Sequence, residues 1–275
     1  MLVLGERTLM MGVLNVTPDS FSDGGKFFDI DAAVEQALKM ENDGADILDM
    51  GGESTRPGSE SVTVEEELRR VLPVIERLRG KLRIPISIDT QKAAVAEAAA
   101  KAGAEIINDV SALRTDPEIA GVARRHKLPL VLMHMRGKPR TMQKQPFARD
   151  VMRDVKSGLR EAVARARKMG VAKSQIILDP GIGFGKSYAQ NCKLLARLPE
   201  LARLEYPLLL GTSRKAFIGT ILGNAKNPLP PQERFWGTAA TVAASIFSGA
   251  HIVRVHDVKE MVQVARMADA VVNAR

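Results

Sequence analysis

Short apolar runs that each stop at a polar residue recur along this chain, with longer amphipathic stretches between them. Gly12-Val13-Leu14 leads to Asn15, Ile47-Leu48 to Asp49, Ile86-Ser87-Ile88 to Asp89, Ile106-Ile107 to Asn108, Ile176-Ile177-Leu178 to Asp179, and Val253 to Arg254-Val255-His256. Continuous apolar runs of this length, rich in β-branched residues, suit strands covered on both faces. The pattern therefore predicts buried strands that deliver polar residues at their carboxyl ends.

Taken in order, the chain alternates strand and helix. Strand Met10 to Leu14 is followed by a long polar loop and a helix that starts near Asp31 and closes at Gly44. Strand Asp46 to Met50 leads to the loop Gly51 to Gly58 and a helix from about Thr63, where Thr63-Val64-Glu65-Glu66 fits a capping box. Strand Ile84 to Ile88 then pairs with helix Lys92 to Ala102, strand Glu105 to Asn108 with helix Pro117 to His126, and strand Pro129 to Met133 with helix Phe147 to Met169. After Ile176 to Asp179 come strand Pro207 to Leu210, loop Gly211 to Lys215, helix Glu233 to Ser248, strand His251 to Val255 and helix Val258 to Val272. Eight such units predict a closed parallel (β/α)8 barrel, a TIM barrel, as one domain over residues 1–275. In that architecture the loops after the strands share one face, so Asn15, Thr55, Asp89, Asn108, Asp179, Lys215, Arg254 and His256 converge.

The glycine-rich turn Asp179-Pro180-Gly181-Ile182-Gly183-Phe184-Gly185-Lys186 excludes two nucleotide-binding patterns by position. GxxxxGK[ST] needs glycine where Pro180 stands, and GxGxxG from Gly181 needs glycine where Lys186 stands. The glycines point instead to a tight turn with backbone close to a ligand.

Composition narrows the partners. The charge of +8 admits nucleic acid or an anionic small substrate. The basic residues are dispersed and only 4% of residues are aromatic, which argues against nucleic acid. One cysteine, Cys192, excludes an intrachain disulfide and a cysteine-cluster metal site, and it falls in an amphipathic helical stretch. No apolar run suggests a signal or membrane span, so the cytoplasm is the expected compartment.

Two chemical poles emerge from the converging residues. Asp89, Asp179 and Asn108 suit a planar heterocycle with amidine-like N–H groups, since a carboxylate can grip two adjacent donors; helix capping is the plainer use of the same acids. Arg254 and His256 lie on one face of a strand and outline an anion site. With Asn15 and Arg56 from the long loops, they suit a polyphosphate with its Mg²⁺, an ion that prefers oxygen ligands. His134 has no spaced metal-binding companion and reads as structural or supporting.

These residues stand in segments that resemble the dihydropteroate synthase family over nearly the whole chain. The segments are GVLNVTPDSFSDGG at Gly12 to Gly25, GGESTRPG at Gly51 to Gly58, SIDT at Ser87 to Thr90, NDV at Asn108 to Val110, MHMRGKPRTMQ at Met133 to Gln143, LDPGIGFGK at Leu178 to Lys186, GTSRK at Gly211 to Lys215 and RVHDV at Arg254 to Val258. The resemblance implies transfer of a dihydropterin-methyl group from its diphosphate ester to 4-aminobenzoate. It implies that Asp89, Asn108, Asp179 and Lys215 hold the pterin, and that Asn15 with Mg²⁺, Thr55, Arg254 and His256 hold the diphosphate. By the same resemblance Lys215, Asp179, Arg254 and His256 are the catalytic set. Phe21, Arg56, Pro57, Phe184 and Lys215 build the aminobenzoate pocket, and the enzyme is expected to be a cytoplasmic homodimer. Many family members carry serine after the GTSRK lysine, whereas this chain has Ala216, which leaves only a backbone N–H there. The competing class, a pterin-binding methyltransferase-type barrel, would need the pterin pole but not RVHDV or the two loops.

Overall fold

The computed structural model describes residues 4–17, 30–54, 59–137 and 148–274. Its strands are β1 (Leu9–Asn15), β2 (Ile47–Gly51), β3 (Ile86–Asp89), β4 (Ile106–Asp109), β5 (Leu130–Met133), β6 (Ile176–Asp179), β7 (Leu209–Leu210) and β8 (Ile252–Val255). Around them lie α1 (Ile30–Asn42), α2 (Val64–Leu78), α3 (Ala93–Ala102), α4 (Ile119–His126), α5 (Val151–Lys168), α6 (Tyr188–Ala196), α7 (Pro199–Ala202), α8 (Ala216–Leu222), α9 (Phe235–Phe247) and α10 (Val258–Asn273).

The strands are parallel, in the order β6-β5-β4-β3-β2-β1-β8-β7. The two edges of that sheet meet through one bridge, Leu178 to Leu208, with the Leu178 N–H donating to the Pro207 carbonyl at 2.9 Å. This closes the predicted barrel.

Alternation along the strands separates two apolar layers. Met10, Leu48, Ile107, Leu132, Leu178, Leu210 and Val253 point outward and pack under the helices as the main core. Leu9, Met11, Ile47, Ile106, Val131, Ile177, Leu209 and Ile252 point inward and form a separate plug inside the barrel. One pleat higher, two residues further along β2, β3, β4, β6 and β8, the inward positions are polar. There stand Asp49, Asp89, Asn108, Asp179 and Arg254. A dry floor of aliphatic side chains thus supports a charged layer at the carboxyl ends of the strands.

Local chemistry accounts for several element ends and for differences from the sequence reading. Thr63 accepts the Glu66 N–H at 3.2 Å, but the Glu66 carboxylate pairs with Arg69 and Arg70, so only half of the expected capping box forms. Asp150 caps α5 through the N–H groups of Met152 and Arg153, which starts that helix later than expected; Phe147 lies outside the described residues. Strand β7 has two residues rather than four, because Pro207 has no N–H to give and the Leu208 N–H is diverted to the His251 ring Nδ1 at 3.2 Å. Helix α8, directly after Lys215, was not foreseen; its seven residues are too few to show a periodic face.

Candidate active site

The polar layer is tied together by Arg254. Its Nε donates to Asp49 Oδ2 at 2.5 Å and its Nη2 to Asp89 Oδ2 at 2.9 Å, while Asn108 Nδ2 donates to the same Asp49 oxygen at 3.1 Å. The pairing follows from register: Asp49 and Asp89 occupy inward positions on the adjacent strands β2 and β3. Burial pushes the Asp89 carboxyl up to about 8, with Arg254 opposing and the Asp49 charge adding to the shift. Burial also weakens the Arg254 cation, but the two carboxylates more than offset this and its pKa is raised. Asp49 Oδ1 is buried and has no hydrogen-bond partner among the described residues.

Across the barrel, Asp179 Oδ1 accepts the Gly181 N–H at 2.6 Å. Burial raises its pKa to about 6 against the pull of that bond and of Lys215 and Lys186. Lys215 lies opposite, its Nζ 4.1 Å from the centroid of the Phe184 ring. Burial and Arg254 lower its pKa to about 8, opposed by Asp179 and Asp89. Phe184 joins Val110, Met133 and Met135 in a small apolar wall beside the charged layer. One side of the mouth is thus flat and greasy, and the other offers carboxylates, an amide and two cations.

The glycine turn is held by backbone contact. Gly181 and Gly185 have φ +66°, and a Cβ there would stand 1.9 Å from the His134 carbonyl oxygen and 2.2 Å from that of Arg136. Lys186, almost fully buried, donates to the carbonyls of His134, Gly181 and Phe184 at 3.2, 2.9 and 3.0 Å. Burial lowers its pKa to about 7. Ser187 then caps α6 in a reciprocal pair with Gln190, which ends the turn. His134 is packed against Gly158, and its Nδ1 has no hydrogen-bond partner among the described residues, a structural placement.

At the other pole, Asn15 ends β1 at the rim, half-buried. The Ser213 hydroxyl accepts the His256 N–H at 3.2 Å and lies 2.9 Å from His256 Nδ1. That contact pins the Nδ1 edge of the ring to the loop after β7 and leaves Nε2 for a ligand. Burial, Arg254 and Arg214 hold the imidazole pKa down to about 3, which keeps it neutral. Arg254, read from sequence with the anion pole, is engaged by Asp49 and Asp89 and stands between both poles. Thr55, Arg56, Phe21 and Pro57 lie outside the described residues. The base of the second loop is anchored: Arg70 Nη1 donates to the Gly52 carbonyl at 2.7 Å, and Lys92 bridges Glu53 and the buried Glu67.

Asp49 is the member of the layer that the sequence reading did not bring to the site. Its signal was present, since Ile47 and Asp49 repeat the inward spacing of Ser87 and Asp89.

A closed parallel barrel whose strand ends carry buried carboxylates and cations of shifted pKa has the form of a barrel enzyme with its site at the carboxyl ends of the strands. Residues 11–256 match the pterin binding enzyme family. A dihydropteroate synthase of Synechocystis is 52% identical over 266 residues, covering 97% of this chain and 91% of its own. The crystal structure of a dihydropteroate synthase from Clostridium difficile, solved with pteroic acid, has a TM-score of 0.91 at 48% identity, covering 98% of this chain and 99% of that one. That of Xanthomonas albilineans with 4-aminobenzoic acid has a TM-score of 0.89 at 45% identity, covering 97% and 93%. The chain belongs to the dihydropteroate synthase family of pterin-binding enzymes.

Proposed function

We propose that this chain transfers the 7,8-dihydropterin-6-ylmethyl group from its diphosphate ester to the amine of 4-aminobenzoate, giving dihydropteroate and diphosphate. The observation that carries this reading is the facing of Asp89, Asn108 and Asp179 with Lys215 over a dry apolar floor, in a chain about half identical to synthases. The carboxylates and the amide take the N–H edge of the pterin, and the wall of Val110, Met133, Met135 and Phe184 takes its face. Substitution at the methylene carbon then needs charge in two places. Asp179 stabilises the cation that develops as the ester bond breaks, with Asp89 held in its pair with Arg254, while Arg254 and the His256 imidazole face the departing diphosphate. The amine nitrogen of 4-aminobenzoate forms its bond to the carbon as the carbon–oxygen bond to diphosphate breaks, and its surplus proton passes to solvent; Thr55 is assigned to the diphosphate, and Phe21, Arg56 and Pro57 to the aminobenzoate pocket.

Asn15 offers one amide oxygen, and among the described residues no three His, Cys, Asp or Glu side chains gather at a metal site. That donor set suits Mg²⁺ held largely by diphosphate oxygens and water. When bound, the ion would neutralise leaving-group charge. The chain is further proposed to work in the cytoplasm as a homodimer. Exposed Trp236, Phe247, Met267 and Val271 give α9 and α10 an apolar surface that a second copy would cover.

Diphosphate release by the purified chain, assayed with and without 4-aminobenzoate and with and without Mg²⁺, tests the activity. Release that requires both the amine and the metal is expected. Release without the amine, with no dihydropteroate formed, would overturn it. Sedimentation tests the dimer.

A further inference from the structure

We infer that Arg214 and Asp257, which touch no part of the polar layer, are a positioning pair that fixes Lys215 and His256 relative to one another. The inference rests on the proposed activity for its kinetic test, and on geometry alone for its spectroscopic one.

Arg214 precedes Lys215 in the loop after β7, and Asp257 follows His256 in the loop after β8. Arg214 Nε donates to Asp257 Oδ2 at 3.1 Å, and its Nη2 pairs with Asp257 Oδ1. This two-point contact has a fixed plane, unlike the single contact a lysine would make. The backbone of Arg214 is left-handed, with φ 56°, a conformation that costs a non-glycine residue energy. Helix α9 and the residue before it hold it there. The Arg214 N–H donates to Thr238 Oγ1 at 3.0 Å, and Arg234 Nη1 donates to the Arg214 carbonyl at 2.8 Å. The reversal at Arg214 is what turns the next residue, Lys215, into the barrel mouth above Phe184. On the same side, Ser213 Oγ holds both the backbone N–H and the ring Nδ1 of His256, at 3.2 and 2.9 Å. Two contacts in consecutive residues, Ser213 with His256 and Arg214 with Asp257, therefore bind one loop to the other. The cation of one proposed pole and the imidazole of the other move as one body. Nothing in the apolar core needs this pair, because Arg214 is more than a third exposed at its side chain.

Arg214→Asn separates pairing from backbone strain, since asparagine tolerates the left-handed region. The variant is expected to keep the wild-type midpoint of thermal unfolding within a few degrees. Its kcat should fall about tenfold or more while KM for the pterin diphosphate changes less than about threefold, the signature of misplaced groups rather than lost binding. Arg214→Asp should fall further, and adding Asp257→Arg to it should restore at least about tenfold. Wild-type kcat in Arg214→Asn, or strictly additive losses in the exchange, would overturn the pairing. The imidazole nitrogens of His256, read by ¹⁵N NMR without substrate, report independently of turnover. One dominant tautomer, fixed by the Ser213 contact, is expected in the wild type and an averaged signal in Arg214→Asn, and unchanged shifts would overturn the inference. Failure of the wild type to turn over counts against the activity alone, because the NMR outcome still decides the pairing.

Discussion

The ammonium of Lys215 stands 4.1 Å from the centre of the Phe184 ring, and the two arrive there from loops on neighbouring strands. Gly183 makes the approach possible, because a Cβ at that position would meet the Lys215 side chain at 3.2 Å. The ring gives the cation a partner that does not neutralise it, and leaves its N–H groups for a ligand. A cation over an aromatic face is worth about 0.5–2 kcal/mol. Phe184→Leu is accordingly expected to lower kcat/KM by about 3- to 30-fold with little loss of stability, measured by steady-state kinetics beside a thermal melt.

Asp179 illustrates a conflict between stability and function. Its folded pKa, raised from 3.8 to about 6 by burial, means that its contribution to stability is full below 3.8 and is lost as pH rises through about 6. At pH 7.5 the ionised group therefore opposes folding, by about 1–3 kcal/mol on the usual conversion. Asp179→Asn should raise the unfolding midpoint at pH 7.5 and show little gain at pH 4. The same variant should lose about 2–4 kcal/mol of transition-state stabilisation. Equal melts at both pH values would reject the electrostatic account.

For the pH profile, the proposed chemistry needs Asp179 ionised and Lys215 protonated. Raising one pKa to about 6 and lowering the other to about 8 leaves a narrow window between them. The kcat/KM for the pterin diphosphate is expected to rise through about pH 6 and fall beyond about pH 8. Asp179→Asn should abolish the acidic limb while leaving the alkaline one.

Arg254 holds Asp49 and Asp89 together, and its removal would leave two buried carboxylates facing each other. Breaking a buried pair by deleting one partner costs about 3–5 kcal/mol. Arg254→Ala should be destabilised by that order above about pH 9 in denaturant titrations, and the deficit should shrink as pH falls through about 8 and Asp89 takes up a proton. Arg254→Lys should recover only part, because it cannot serve both acids in one plane.

The glycine turn is expected to tolerate no side chain at its first glycine. Gly181→Ala would put a methyl group 1.9 Å from the His134 carbonyl oxygen at φ +66°. A cost above about 2 kcal/mol and loss of soluble, active protein are expected, read from expression and melting.

The barrel and much of its charged rim were legible because strand ends are punctuated in this chain. Each apolar run stops at the residue that enters the site, so period two alone carries Asp89, Asn108 and Asp179 inward. What stayed hidden depends on neighbours across strands. Asp49 had the right spacing, but its bond to Arg254 joins residues far apart in sequence, through β1, which lies between their strands. Arg254 itself was read as an anion ligand because the pattern shows its charge and not its partners. Strand β7 was drawn too long because an apolar run cannot reveal that the Leu208 N–H leaves the ladder for the His251 side chain.

The join between β6 and β7 gives the barrel a hinge line. Along every other seam, neighbouring strands share two or more residue pairs, whereas here one bridge, Leu178 to Leu208, fastens the wrapped sheet to itself. Cylinders fastened at one point breathe there first. Asp179 follows one lip of the opening, and Lys215 lies in the loop beyond the other, so parting of this seam would change the gap between those two charges. A flat ligand that touches both lips acts as a rivet. Slower hydrogen exchange at the Leu178 amide on pterin binding would register that tightening at an atom which the ligand never contacts.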